Sequence, residues 1–282
     1  NSIEFHVDQK DVAKPDLVCY SIVIDAFANS RLPEASAVAL RLLRAVETKC
    51  DAGDESIKPN TRIYTAAILS LVHSPFSADE ENHDDGAFAG KRISNNAQRA
   101  WSILEKMKAN HVPPNSFTYN YIINVAAESA EDHRSSFEMA VRAFQEIRTR
   151  KTTQNTDMKD GMDPCHPDSF TFTFMIKACN NLLPPGSLRT EVISQVFREC
   201  CRSGYLNDAI LDRAWRGLSP ETFYLLVEKN SLTTPPKVGN VPPKPPIAIA
   251  ALPSSWSRCC QAIKARNPKG GATTRKKGVQ LA

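Results

Sequence analysis

Residues 96–123, NAQRAWSILEKMKANHVPPNSFTYNYII, combine two helical patterns separated by a proline-containing turn, and this stretch decides the fold. In its first half, apolar side chains recur at the three- and four-residue spacing of one helix face: Ala97, Ala100, Trp101, Leu104 and Met107. Its second half begins with Pro114 and Asn115. Because proline cannot continue a helix and asparagine can cap one, this pair predicts that a new helix starts here.

The second half of this stretch recurs, so that four copies align without a gap. The copies are PDLVCYSIVI from Pro15, PNTRIYTAAI from Pro59, PNSFTYNYII from Pro114 and PDSFTFTFMI from Pro167. Each has proline, Asp or Asn, three variable residues, an aromatic residue, a small polar residue and an apolar stretch. A single helical hairpin cannot bury its apolar stripe alone, so the repetition predicts a stack of hairpins.

The intervals between the four prolines are uneven, at 44, 55 and 53 residues. The excess is polar and turn-rich, which predicts inserts outside the helical stack. These inserts are expected at 51–57, 74–95 and 150–164. The repeats then cover 15–203, preceded by a remnant of another repeat at 1–14 and followed by terminal capping helices at 204–230.

The residues from 231 to 282 differ in composition from the rest. They hold nine Lys or Arg and no Asp or Glu, with many prolines, which predicts a disordered basic tail. The overall charge of +4 therefore conceals a balance of about −5 in residues 1–230. A basic footprint typical of nucleic-acid binding is absent from this larger part.

The repeated unit resembles the pentatricopeptide repeat: Pro-Asp/Asn, an aromatic residue followed by a polar one in the first helix, and a second helix rich in small residues. The pattern is similar to the P-type, with irregular insertions. The resemblance implies an all-α fold, a right-handed superhelical solenoid of helix-turn-helix repeats. It also implies binding of single-stranded RNA in organellar RNA processing, stability or translation, in a mitochondrion or plastid, with other proteins of an RNA-processing complex as further partners.

The resemblance also implies which side chains contact RNA bases. One set is the polar residue after each aromatic residue: Ser21, Thr65, Asn120 and Thr173. The other is the residue after the proline that closes the same repeat: Asn60, Asn115 and Asp168. The alternative is that these Asn and Asp residues serve only as caps and turn residues. The residues two positions before the aromatic ones are expected to stack on bases: Val18, Arg62, Phe117 and Phe170.

In the family such pairs are similar to a code. Ser21 with Asn60, and Thr65 with Asn115, resemble the adenine-preferring class. Asn120 with Asp168 resembles the uracil-preferring class, which gives 5′-A-A-U-3′. For Thr173 the remaining candidate partner is Glu221.

The competing interpretation is a protein-binding helical-repeat scaffold similar to tetratricopeptide arrays, and the negative charge of residues 1–230 favours it. The charge on the concave face discriminates between the two. The sequence contains no phosphate-binding loop, zinc-protease motif or hydrolase nucleophile motif, so we predict no enzyme and no cofactor. The acidic run DEENHDD at 79–85 indicates a solvated insert rather than a metal site. No apolar run approaches the roughly 18 residues of a membrane-spanning helix.

Overall fold

The computed structural model describes residues 15–75, 95–129, 131–153, 165–227, 245 and 247–260. Throughout these ranges the regular structure is helical, which confirms the all-α prediction. The α-helices are α1 Leu17–Ser30, α2 Ala35–Asp51, α3 Thr61–Ser70, α4 Asn96–Ala109, α5 Ser116–Glu128, α6 His133–Thr153, α7 Ser169–Leu182, α8 Ser187–Ser203, α9 Asp208–Gly217 and α10 Pro220–Val227. None of these helices is long and apolar enough to cross a membrane.

Four of the helices begin at the predicted Pro-Asp/Asn signals. In each, the Asp or Asn side chain accepts a hydrogen bond from the backbone N–H three residues later, which satisfies one of the N–H groups that a helix start leaves unpaired. The caps and their donors are Asp16 with Cys19 at 2.8 Å, Asn60 with Ile63 at 3.1 Å, Asn115 with Thr118 at 3.0 Å and Asp168 with Thr171 at 2.9 Å.

The chain divides into two compact units, residues 1–166 and residues 167–282. In the first unit, α1 with α2, α3 with α4 and α5 with α6 form three consecutive hairpins. The first helices pack side by side, α1 on α3 and α3 on α5. Tyr64 and Tyr119 occupy the same register in their helices, and both are fully buried. This arrangement confirms the helical-repeat fold that the four aligned copies predict.

Hydrogen bonds from the buried tyrosine hydroxyls connect the first helices to the second helices. Tyr64 donates to Glu47 of α2 at 2.8 Å, and Lys106 of α4 pairs with the same carboxylate at 2.7 Å. Burial and the Glu47 charge raise the pKa of the Tyr64 phenol, so the hydroxyl stays a donor. Tyr119 donates to Glu146 of α6, the second helix of its own hairpin, at 2.9 Å. Each of these carboxylates is thereby satisfied by the hairpins around it.

The second unit contains two hairpins, α7 with α8 and α9 with α10. Helix α9 packs on α7, as α3 packs on α1 in the first unit. Gly217 permits close packing here, because a Cβ at this position would lie 2.0 Å from Asn180 Oδ1 and 2.6 Å from Ile193 Cδ1. The residues predicted as terminal capping helices therefore have the arrangement of a further repeat.

A segment of the predicted tail packs back onto this unit. Leu206 N donates to Trp256 O at 2.8 Å and Cys259 N donates to Gly204 O at 3.0 Å. The Trp256 ring meets Phe197 of α8 edge-on, with 6.4 Å between ring centroids. The prediction of a disordered tail is therefore wrong for residues 247–260, because tertiary contacts order them despite the surrounding prolines.

The predicted inserts have different outcomes. Residues 51–57 contain the end of α2, a turn and a 3₁₀ helix, Glu55–Ile57, that buries the Ile57 side chain. The insert predicted at 150–164 begins later, because α6 continues to Thr153. The remnant at 1–14, and nearly all of the insert at 74–95 with its acidic run, lie outside the described residues.

Candidate nucleic-acid interface

A cavity of about 500 Å³ lies in the first unit where α1, α3 and α5 pack side by side. Its lining includes Thr65 and Asn115, which the sequence pairs as readers of one base, and Arg62 and Phe117, which it predicts as stacking residues. The volume lies in the range of roughly 300–1,000 Å³ that small-molecule sites occupy. The structure therefore brings one complete set of predicted base-contact residues to one cavity.

The two predicted reading residues of this cavity are connected through the hydroxyl of Thr118. Thr118 Oγ1 donates to Asn115 Oδ1 at 3.0 Å and accepts from Asn115 N at 3.3 Å. Thr118 Oγ1 also lies 2.9 Å from Thr65 Oγ1. Because the single Thr118 hydroxyl proton points to Asn115, the proton in the third contact belongs to Thr65.

These hydrogen bonds determine whether Thr65 and Asn115 each present a donor or an acceptor to the cavity. The Thr65 hydroxyl proton points to Thr118, so Thr65 presents its oxygen as an acceptor. The cap and the Thr118 hydroxyl both hold Asn115 by its Oδ1. In that orientation Asn115 presents its Nδ2 group as a donor. This group has no hydrogen-bond acceptor among the described residues. The cavity thus offers one acceptor and one donor side by side.

The four predicted stacking residues are exposed, as stacking on a ligand requires. Val18 is 62%, Phe117 47% and Phe170 56% exposed, and the Arg62 side chain is 66% exposed. The Phe117 ring lies 6.4 Å from the Tyr121 ring and the Phe170 ring 6.1 Å from the Phe174 ring, centroid to centroid. Each aromatic stacking residue is therefore supported by a second ring one turn along its helix.

The other predicted reading residues of the first helices lie in the same register as Thr65 and, like it, have little solvent exposure. Ser21, Asn120 and Thr173 are buried, and Asn120 is only 1% exposed. The Thr173 hydroxyl donates to the carbonyl of Ser169 one turn earlier at 2.6 Å. Asn120 belongs to the first unit and Asp168 to the second. Asp168 forms the same cap and threonine contact as Asn115, with Thr171 Oγ1 donating to Asp168 Oδ1 at 3.1 Å.

The start of α9 has a further cap residue that the repeat pattern does not predict. Asn207 caps α9, with its Oδ1 accepting from Ile210 N at 2.9 Å, in the manner of Asn60 and Asn115. Glu221, the partner predicted for Thr173, lies instead in α10, the second helix of that hairpin. The signal available in the sequence was Asn207 followed by apolar residues in the register of a helix start.

The first helices of the four predicted repeats are electrically balanced. They contain two acidic and two basic residues: Asp25 in α1, Arg62 in α3, Glu128 in α5 and Lys177 in α7. Asp25 and Arg62 form an ion pair. The acidic surplus of residues 1–230 therefore lies outside these four helices.

Other reactive groups in the described part of the chain are buried or scattered. Burial raises the pKa of Cys179 and of Cys201 to about 12, which keeps both thiols protonated and unreactive near neutral pH. No three His, Cys, Asp or Glu residues among the described ranges come together as a metal site. The cavity of the first unit is thus the place where polar, planar and exposed groups converge.

Residues 92–128 match the model of the pentatricopeptide repeat domain. The match includes α4 and α5, the two helices predicted from the stretch at 96–123, together with Asn115 and Phe117 of the cavity. No curated protein matches the chain.

Proposed function

Because residues 92–128 match the pentatricopeptide repeat domain, we propose that this chain binds single-stranded RNA with a sequence preference, through its first helices. The observation that carries the proposal is the cavity that contains Thr65, Asn115, Arg62 and Phe117 together. Unstacked bases are recognised in proteins by stacking on planar side chains and by hydrogen bonds to the base edge. This cavity has both kinds of group.

The hydrogen-bond polarity of the cavity supports adenine as the base. The Watson–Crick edge of adenine presents a donor, N6–H, beside an acceptor, N1. These match the acceptor at Thr65 and the donor at Asn115 Nδ2. Cytosine has the same order of donor and acceptor, whereas uracil and guanine have the reverse. The larger purine ring fills more of the cavity, so adenine is preferred to cytosine.

Stacking supplies affinity that depends little on base identity. A base bound at Thr65 and Asn115 lies between the guanidinium of Arg62 and the ring of Phe117. Base stacking on an aromatic side chain contributes about 1–3 kcal/mol. This contribution offsets the lack of a basic surface, because the affinity then comes from base contacts more than from phosphate neutralisation.

By residue type alone, the family scheme assigns four bases. It assigns adenine to Ser21 with Asn60 and to Thr65 with Asn115, and uracil to Asn120 with Asp168. For Thr173 we replace Glu221 by Asn207 as the partner, because Asn207 caps the next first helix. That pair again has the adenine-preferring composition. The proposed core is 5′-A-A-U-A-3′.

The cellular role that fits such a protein is that of an adaptor in organellar RNA processing, stability or translation. By occupying an RNA segment it hides or presents a site to other proteins of an RNA-processing complex, without a catalytic centre of its own. We place it in a mitochondrion or plastid. The balanced charge of the first helices is the observation that keeps a protein-binding scaffold as the second candidate, since a peptide needs no basic groove.

Filter binding with random single-stranded RNA, single-stranded DNA and double-stranded RNA tests this proposal. We expect the single-stranded RNA to bind most tightly. Phe117→Ala should weaken its binding by about 5- to 150-fold, the equivalent of 1–3 kcal/mol of stacking. Leu188→Ala, an exposed apolar residue of α8, is the matched control and should have no effect. Absence of RNA binding by the parent protein would favour the scaffold.

A further inference from the structure

An ion pair between two first helices holds one of the stacking residues. Arg62 Nε in α3 donates to Asp25 Oδ2 in α1 at 2.7 Å, and Arg62 Nη2 donates to the same oxygen. Both side chains line the cavity of the first unit. Arg62 is the charged member of the four stacking residues; the other three are Val18, Phe117 and Phe170.

An arginine in a nucleic-acid groove has two uses. Its charge can neutralise a backbone phosphate, or its planar guanidinium can stack on a base. Here the carboxylate of Asp25 accepts bonds at the edge of the guanidinium, from Nε and Nη2. It thereby neutralises the cation and repels a phosphate, while the two flat faces of the group are not occupied by these bonds.

The Asp25 carboxylate also lies close enough to Tyr121 of α5 to affect its ionisation. Burial raises the pKa of Tyr121 in α5, and the negative charge of Asp25 raises it further. Tyr121 and Asp25 both line the cavity, and the Tyr121 ring is next to that of Phe117. Asp25 therefore acts on groups of α3 and α5 across the cavity, although it belongs to α1.

We propose that Asp25 is a positioning residue for base recognition, which holds the guanidinium of Arg62 as a stacking plane opposite Phe117 and keeps it away from the RNA phosphates. This inference rests on the proposed RNA binding. It adds how Arg62 is directed to stack on a base instead of contacting a phosphate. The base concerned is the second of the proposed core, read by Thr65 and Asn115.

The test uses the full chain and a 12-nucleotide RNA with 8-vinyladenine, a fluorescent adenine that keeps the 6-amino group and N1, at the second position of the A-A-U-A core. Quenching of the 8-vinyladenine fluorescence reports stacking, and the slope of log affinity against log salt reports phosphate neutralisation. The variants are Asp25→Asn, Arg62→Gln and the double variant. Glu138→Gln is the matched control, because it removes a carboxylate from the exposed Arg134–Glu138 pair of α6.

For Arg62→Gln we expect less quenching and an unchanged salt slope. For Asp25→Asn we expect less quenching, an affinity about threefold to fivefold lower, and a slope steeper by about 0.7, the value of one phosphate contact on a single strand. The double variant should behave as Arg62→Gln alone, since Asp25 acts through Arg62. Glu138→Gln should match the parent on both measurements.

Two results would overturn the inference. If Arg62→Gln lowers the slope by about 0.7 and quenching persists, Arg62 is a phosphate contact in the parent. If Asp25→Asn matches the parent on both measurements, Asp25 positions nothing. If Asp25→Asn does not fold, Arg62→Gln alone decides between stacking and phosphate contact. Failure of the parent to bind RNA at all would instead refute the proposed function, and this inference with it.

Discussion

Asn115→Asp separates the capping role of this residue from its proposed role as a reader of RNA. The substitution changes an amide to a carboxylate of the same shape. Asp and Asn cap helices equally well, and a negative charge at a helix start is favourable. Asp168 already makes the same cap with the same threonine contact in this chain. The free energy of unfolding should therefore change by less than about 0.5 kcal/mol.

The effect on RNA should be much larger than the effect on stability. In the proposed complex, Asn115 Nδ2 donates to adenine N1, and the substitution replaces this donor by a carboxylate oxygen, which can only accept. Adenine then loses a hydrogen bond and faces a repulsion, at a cost of about 1–3 kcal/mol. Guanine and uracil have an N–H at the same place and gain a charge-assisted bond. The ratio of adenine to guanine affinity at the second base should fall by about 10- to 100-fold.

Fluorescence anisotropy with four RNAs that differ only at the second base of the core measures this ratio, and thermal melting measures stability. Asn60→Asp is the matched variant, since it is the same change at the preceding cap. Asn60→Asp should change the base preference at the first position of the core, one nucleotide toward the 5′ end. If Asn115→Asp melts as the parent does and leaves the four affinities in the same order, Asn115 is a cap alone and the reading scheme is refuted.

Three other changes test separate parts of the account. Asn120→Ser combined with Asp168→Asn should move the third base from uracil toward adenine by about 1–3 kcal/mol in competition binding; an unchanged preference would remove both residues from the interface. Gly217→Ala should lower the free energy of unfolding in urea by about 1–3 kcal/mol, because its Cβ would collide with Asn180; an unchanged midpoint would mean that α9 can shift without cost. His111→Gly should raise the free energy of unfolding by about 0.5–1 kcal/mol with RNA affinity unchanged, since His111 has a φ of 56°. A lower free energy of unfolding would show that the His111 side chain stabilises the turn.

The sequence predicts the first helices well because their start signals are local. The proline and the Asp or Asn at Asn60, Asn115 and Asp168 fix where each helix begins through bonds to residues only three positions away. The local start signal of α9 is weaker. It has Asn207 but no preceding proline, and Leu211 stands where the other copies have an aromatic residue.

The parts of the site that the sequence did not predict depend on contacts between distant residues. Asp25 and Arg62 are 37 residues apart, and only the packing of α1 on α3 brings them together. Likewise, Thr65 meets Thr118 because α3 packs on α5, and that contact is what assigns acceptor and donor in the cavity. Residue types at the code positions thus select the candidate base-contact side chains, and the tertiary structure indicates which of them present a donor or an acceptor.

The central claim is that this chain reads bases of single-stranded RNA, and selection from a random RNA pool with the full chain tests it most directly. The account predicts enrichment of sequences containing A-A-U, with adenine strongest at the second position, where Thr65 and Asn115 form the cavity. A selected pool without a common sequence, or one in which uracil or guanine occupies that position, would contradict the account.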